Sequence, residues 1–187
     1  MRPIFTVHAG EYLVATEIER RFRTLDVWIP SNDRGIDLLV TNPDTQRMVS
    51  LQIKFSKDFT PLSKRPELKR NFKATGWWTH RRDKIGESPA DLWVFVLPSF
   101  EDKDISFIVI SPKELLRRLS IIHAAHATPS ATIHSYLWVT RESKCWETRD
   151  ATTKDDQKAM IAGRHAPVER NFSLFLNNWD LMTDRLK

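Results

Sequence analysis

Apolar and polar positions alternate along two short stretches of the chain, residues 36–41 ("IDLLVT") and 48–55 ("MVSLQIKF"). The pentapeptide between them, "NPDTQ", is rich in turn-forming residues, so the pattern predicts a β-hairpin. Residues 90–98 ("ADLWVFVLP") form a continuous apolar run, which is typical of a strand buried on both faces. Shorter apolar stretches predict further strands at 26–30, 105–110 and 136–140.

Helical periodicity appears in three segments. In residues 9–23, Val14 and Ile18 belong to one apolar stripe, as expected for a helix packed on a core. Residues 111–122 open with "SPKE", a capping box with proline at the first helical position. Residues 168–182 carry aromatic and aliphatic side chains at helical spacing and predict a closing helix. Together these elements predict an α/β sandwich around a mixed sheet.

Composition places the chain among ordinary globular proteins, with 187 residues of which 41% are hydrophobic and 28% charged. This length fits one domain over residues 1–187 with a substantial core. The single cysteine, Cys145, excludes an internal disulfide and a cysteine-based zinc cluster, and fits a reducing cytoplasm. No stretch approaches the roughly 20 apolar residues of a membrane span. We therefore expect a soluble, cytoplasmic protein.

Positive charge is concentrated in one part of the sequence. The whole chain has a net charge of +5, whereas the segment from Lys54 to Lys84 has ten basic and three acidic residues, a net charge of +7. Most of this segment lies in a basic insertion at about 56–90, and such clustering favours a polyanionic partner. A solvated basic loop is the alternative. The candidate nucleic-acid-binding residues are Lys57, Lys64, Arg65, Lys69, Arg70, Lys73, Arg81, Arg82 and Lys84.

The same segment contains the sequence "GWWTHRRDK", in which aromatic and basic residues are mixed. Trp77, Trp78 and His80 could stack on nucleic-acid bases. They could equally be core residues, since the chain has seven tryptophans.

The predicted hairpin carries a group of polar residues that suits metal chemistry. Gln52 and Lys54 are two positions apart and so share one face of their strand, while Asp37 begins the neighbouring strand. Carboxylate and amide oxygens are ligands for Mg²⁺, and Mn²⁺ is also possible. A lysine beside them could orient an attacking water or stabilise charge on a phosphate.

Glu11 is a further candidate ligand on the first predicted helix. It falls about 20° from Ile18 on a helical wheel, in the middle of the apolar stripe. A buried carboxylate is costly unless it is paired or bound to metal. The alternative is an acid in the first helical turn, where the helix dipole favours negative charge.

The order "AGEYLVATEIERRF", "GIDLLV", "QIK" resembles the PD-(D/E)XK nuclease superfamily, especially compact members such as Holliday-junction resolvases. The resemblance covers residues 8–57 and implies a restriction-endonuclease-like three-layer sandwich, with a mixed central sheet flanked by helices. It implies that Asp37, Glu11 and the Ile53 carbonyl hold metal and that Lys54 is catalytic. Gln52 stands where the family usually has Glu or Asp. An amide oxygen can still coordinate metal, and some members have the same Gln-X-Lys form.

Three functions follow as hypotheses. The first is an Mg²⁺-dependent endonuclease that hydrolyses DNA, with RNA as a possible substrate and a homodimer as a possible assembly. The second is a catalytically inactive DNA-binding module of the same fold, which the glutamine at position 52 favours. The third is a small interaction protein of a defence or mobile-element system whose polar hairpin is merely solvated.

Overall fold

The computed structural model describes residues 4–32, 34–56, 71–99, 101–124, 131–149, 153–164 and 167–187. This part of the chain contains eight strands: β1 (Asp26–Trp28), β2 (Leu38–Asn42), β3 (Arg47–Phe55), β4 (Phe72–Arg81), β5 (Leu92–Ser99), β6 (Asp104–Ile110), β7 (Thr132–Thr140) and β8 (Cys145–Glu147). It also contains five helices: α1 (Ile4–Arg21), α2 (Arg82–Gly86), α3 (Pro112–Ile122), α4 (Lys154–Ile161) and α5 (Asp180–Leu186). The predicted α/β class is confirmed.

The larger sheet has five strands in the order β1-β2-β3-β5-β6. Its only parallel pair among these strands is β3 with β5, while the other neighbours are antiparallel, so the sheet is mixed as predicted. All eight residues of β5 are buried, which agrees with the continuous apolar run in its sequence. The β2–β3 hairpin also forms as predicted, with Val40 opposite Val49.

Side-chain alternation along β3 gives the larger sheet two different faces. Leu51 and Ile53 point to a core that includes Val14 and Ile18 of α1 and Met182 of α5. The even-numbered residues of β3, among them Gln52 and Lys54, point to the opposite face. One side of β3 therefore builds a helix–sheet core, and the other side carries the polar candidates.

A second, three-stranded sheet in the order β4-β7-β8 lies against that opposite face. The Trp78 ring meets Phe95 of β5 edge-on, with centroids 4.9 Å apart, and His80 lies 5.7 Å from Trp93. Helix α3 joins the same core through side chains such as Leu119. The sequence pattern predicted no element in residues 72–86, where the structure has β4 and α2. The resemblance implied helices as the flanking layers, but on this face a sheet and a helix share the layer.

The predicted helix at 111–122 is confirmed as α3, and only the Ser111 half of its predicted capping box forms. The Ser111 hydroxyl accepts a hydrogen bond from the Glu114 amide at 3.3 Å, and Pro112 is the first helical residue. The Glu114 carboxylate, however, accepts hydrogen bonds from Arg117 and Arg118. These arginines lower the pKa of Glu114 to about 2.

The closing helix predicted for residues 168–182 is wrong. Two 3₁₀ turns, Val168–Arg170 and Ser173–Phe175, precede α5, which begins only at Asp180. Asn177 has a φ of 52° and exchanges hydrogen bonds with the backbone of Phe107, through its amide at 2.6 Å and its side-chain oxygen at 2.8 Å. These contacts to β6 outweigh the helical periodicity. No helix among the described residues has the length and apolarity to cross a membrane.

Candidate active site

Asp37 immediately precedes β2, and its carboxylate lies beside β3. The Asp37 amide donates to the Leu51 carbonyl at 2.8 Å. Its carboxylate oxygen Oδ2 accepts hydrogen bonds from the Ile53 backbone amide and, at 3.0 Å, from the Gln52 side chain. The preceding Gly35 has a φ of 88°, a conformation that favours glycine, which lets the chain turn into β2. The hairpin thus brings Asp37 and Gln52 together as the sequence predicted.

Two oxygen atoms at this position accept no hydrogen bond from the described part of the chain: Oδ1 of Asp37 and Oε1 of Gln52. The backbone carbonyl of Ile53 projects to the same edge of β3 as its amide, which faces Asp37. One carboxylate, one amide oxygen and one carbonyl suit Mg²⁺, which is usually held by one or two carboxylates together with water and substrate phosphates. The donor set therefore fits the metal that the resemblance implies. Among the described residues there is no group of three or more histidine, cysteine, aspartate or glutamate side chains that could hold a metal ion.

A second carboxylate near this site, that of Asp91, is already hydrogen-bonded to protein groups through both of its oxygens. Oδ2 of Asp91 accepts hydrogen bonds from the amide and hydroxyl of Ser50 at 2.9 and 2.7 Å, and its Oδ1 accepts one from Arg185 at 3.3 Å. These contacts tie β3 to the start of β5. Asp91 serves to hold the sheet together, whereas Oδ1 of Asp37 accepts no hydrogen bond from the residues that the structure describes.

Lys54 is held on the same face by an aromatic ring. Its Nζ lies 5.0 Å from the centroid of Trp93, a cation–π distance. The indole Nε1 of Trp93 donates to the hydroxyl of Ser88 at 2.8 Å, which fixes the orientation of the ring. The ammonium group is thereby directed by a rigid neighbour.

His80 lies next to Trp93, with ring centroids 5.7 Å apart, a contact that no sequence pattern predicted. It is buried on the inner face of β4, and its Nε2 is 2.9 Å from the hydroxyl of Ser135. Burial, followed by the charge of Lys54, lowers the pKa of His80 to about 3. The imidazole is therefore neutral at ordinary pH and adds no positive charge beside the lysine. The period of two along β4 is the only sequence signal for its direction.

The predicted position of Glu11 needs a correction. Helix α1 begins at Ile4, not at residue 9, so Glu11 lies in the helix interior and the first-turn explanation does not apply. A Cβ on neighbouring Gly10 would lie 2.8 Å from the Cβ of Phe55, which places this turn on the sheet face that carries Ile53. Glu11 is half-buried there, across the sheet from Gln52 and Lys54. To reach a metal at Asp37 it must extend round the sheet edge, and its role as a ligand stays a prediction.

The basic residues predicted to bind nucleic acid are only partly described. Five of them lie outside the described residues: Lys57, Lys64, Arg65, Lys69 and Arg70. Of the other four, Lys73 forms an ion pair with Asp104, and Arg81 forms one with Asp83. Arg82 donates to the hydroxyl of Ser120 at 3.0 Å, and Lys84 is exposed on α2.

Alternation along β4 separates the two tryptophans that the sequence left undecided. Trp78 is 7% exposed and packs inward. The adjacent Trp77 is 42% exposed and points outward. The hydroxyl of Ser56, just after β3, accepts a hydrogen bond from the Trp77 amide at 3.1 Å. The edge of β4 therefore borders the strand that carries Lys54.

No protein family, curated protein or solved structure matches the chain. A functional conclusion therefore depends on the geometry of the site and on the residues that the resemblance singled out.

Proposed function

We propose that this protein is a metal-dependent DNA endonuclease with a PD-(D/E)XK-like fold. The observation that carries the proposal is the junction of Asp37, Gln52 and Ile53, in which hydrogen bonds hold the aspartate that precedes β2 against the Gln-X-Lys strand. Oδ1 of Asp37 accepts no hydrogen bond from the described part of the chain, which leaves it able to bind a metal. Lys54, two positions along the same face, supplies positive charge for a phosphate.

Each residue has a distinct role in this proposal. Asp37, the Ile53 carbonyl and the Gln52 amide oxygen would hold Mg²⁺, after the Gln52 amide turns its oxygen toward Asp37. The metal, when bound, would polarise the scissile phosphate and lower the pKa of the attacking water. Lys54 would donate hydrogen bonds to a phosphate oxygen as negative charge develops there. Trp93 would keep the lysine directed toward that oxygen, and Glu11 would complete the ligand set.

A second candidate function is a catalytically inactive DNA-binding module. It is favoured by the amide of Gln52, which donates to Asp37 where a second carboxylate would add negative charge for a metal. Such a protein would bind DNA equally well with and without Mg²⁺, and its affinity would fall steeply with added salt.

Cleavage of supercoiled plasmid, branched DNA and RNA with Mg²⁺ or Mn²⁺ tests the proposal. The variants are Asp37→Asn and Lys54→Met, each with a matched exposed control, Asp44→Asn and Lys113→Met. We expect metal-dependent cleavage that falls by at least about a hundredfold in the two site variants, because each loses a group that acts on the transition state. The controls should cut as the wild type does.

Two results would count against the endonuclease. Cleavage that survives in Asp37→Asn would place the activity elsewhere. No cleavage by the wild type, combined with salt-sensitive binding that does not need metal, would establish the binding module instead.

A further inference from the structure

The outward face of the smaller sheet carries a group of aromatic rings on neighbouring strands. Trp77 of β4 pairs with Tyr136 of β7, and Thr79 pairs with His134. The Trp77 and His134 rings are nearly parallel, with an interplanar angle of 8° and centroids 6.1 Å apart. The Tyr136 ring lies 6.1 Å from Trp77 at 36°. We call Trp77, His134 and Tyr136 the aromatic face.

The aromatic face is not buried by the described chain. Trp77 is 42% exposed, and His134 and Tyr136 are half-buried. Further along the same sheet Trp146 is buried with Met160 of α4, so that part of the sheet is covered. Cross-strand aromatic pairs do stabilise sheets. That role alone does not require an indole ring to remain open to solvent.

A hydrogen bond orders one member of the face. The Oγ1 of Thr79 lies 3.0 Å from Nδ1 of His134, which fixes the imidazole parallel to the Trp77 indole. Rigid rings lose little conformational entropy when a flat ligand stacks on them. The face is therefore arranged for stacking before any ligand arrives.

Charge favours a nucleic acid as the ligand. Strand β4 belongs to the segment from Lys54 to Lys84, which has a net charge of +7 in the sequence, although five of its basic residues lie outside the described part of the chain. Arg81 extends exposed from the outward side of β4, although it is paired with Asp83, and the charge of Arg149 acts on His134. Aromatic rings in basic surroundings bind unpaired nucleobases by stacking, with little dependence on sequence.

The position of the aromatic face relates it to the candidate active site. The Ser56 hydroxyl binds the backbone of Trp77 at its amide, and Ser56 follows Lys54 by two residues. The edge of β4 at Trp77 therefore lies next to the end of the strand that carries Lys54.

We propose that the aromatic face binds unpaired nucleobases of a DNA or RNA strand next to the candidate active site. This inference builds on the proposed nuclease function and specifies its substrate as nucleic acid with a single-stranded part. Trp77 is the main stacking residue, and His134 and Tyr136 extend the stacking surface.

Binding without metal tests the aromatic face independently of catalysis. The probes are fluorescein-labelled oligo(dT) and oligo(rU) of about 20 nucleotides and a duplex of the same length, measured by anisotropy in EDTA. The variants are Trp77→Leu, Trp77→Tyr and the control Trp28→Leu, because Trp28 is 57% exposed on the other sheet. We expect Trp77→Leu to weaken single-strand binding about tenfold, Trp77→Tyr to restore most of it, and Trp28→Leu to match the wild type.

Comparison of the probes decides the chemistry of the ligand. Equal loss for oligo(dT) and oligo(rU) supports base stacking in general, and loss for one alone restricts the face to that kind of nucleotide. Unchanged single-strand affinity in Trp77→Leu would overturn the inference, as would an equal loss in Trp28→Leu. A dimer that dissociates in Trp77→Leu without any change in binding would also overturn it and would make the face a self-interface.

The outcomes for the two proposals are separable. Trp77-dependent binding without any cleavage would support the aromatic face and refute the endonuclease. Asp37-dependent cleavage with normal binding by Trp77→Leu would do the reverse.

Discussion

Replacing His80 with glutamine should make the folded protein less sensitive to acid. His80 is 5% exposed, and its Nε2 lies 2.9 Å from the Ser135 hydroxyl. The glutamine side chain reaches a similar position and can keep a hydrogen bond to that hydroxyl, but it does not titrate. The substitution therefore removes the proton-binding group with a small change in packing.

The pKa of His80 determines the size and sign of the effect. The ordinary value is 6.5, and burial and the charge of Lys54 lower it to about 3 in the folded chain. Between these values the unfolded chain binds a proton that the folded chain does not, so stability falls as the pH falls below 6.5. From pH 7.5 to pH 5 this loss is about 2 kcal/mol, and the folded pKa has little influence on it while that pKa stays below about 4.

Urea denaturation followed by tryptophan fluorescence at several pH values from 7.5 to 5 measures this loss. Wild type and His80→Gln share all other titrating groups, including Glu147, whose pKa burial raises to about 7. The difference between their pH profiles therefore isolates His80. His134→Gln is the matched control, since this histidine lies on the adjacent strand with its ring half-exposed. It should keep most of the acid sensitivity.

Parallel pH profiles for wild type and His80→Gln would refute the argument. Such a result would mean that the folded protein accepts a proton on His80 as readily as the unfolded chain does. The conclusion that the folded protein keeps the His80 imidazole neutral beside Trp93 would then be wrong.

Three further substitutions test packing, buried polar contacts and the metal site. Gly10→Ala should destabilise the protein by about 1–3 kcal/mol, because the new Cβ would lie 2.8 Å from that of Phe55. An unchanged midpoint of urea denaturation would contradict this prediction and show that α1 shifts at little cost. Arg118→Met should cost about 2–3 kcal/mol in the same assay, because it leaves two backbone carbonyls, now bonded at 2.8 and 2.9 Å, without their donor. Gln52→Glu should lower the melting temperature in EDTA, because it sets a second carboxylate beside Asp37, and Mg²⁺ should reverse this loss. A melting temperature that ignores Mg²⁺ would contradict a metal site there.

Local patterns in the sequence were sufficient for the hairpin and for α3. The period of two placed Gln52 and Lys54 on one face, and the turn between the strands set Asp37 next to them. These relations involve neighbours in the chain, so propensity and periodicity can specify them. The cap of α3 at Ser111 could be predicted from the sequence for the same reason.

Strand β4 could not be predicted from local sequence patterns. Its inward side carries Gly76, Trp78 and His80, a small, a large and a polar residue, which do not form an apolar pattern. They are buried because Trp93 and Phe95 of β5 lie opposite them. Gly76 is required because a Cβ there would lie 2.2 Å from the Trp78 ring.

The sequence by itself determined the order of the predicted site residues along the chain and the face of β3 that Gln52 and Lys54 share, and the metal chemistry it suggests stays a prediction. Only the tertiary structure decided that Trp93 contacts both Lys54 and His80, that Trp77 points outward while Trp78 is buried, and that Glu11 lies across the sheet. The physical reason is that these contacts join strands far apart in the chain. Their free energy comes from burial against partners that no local pattern identifies.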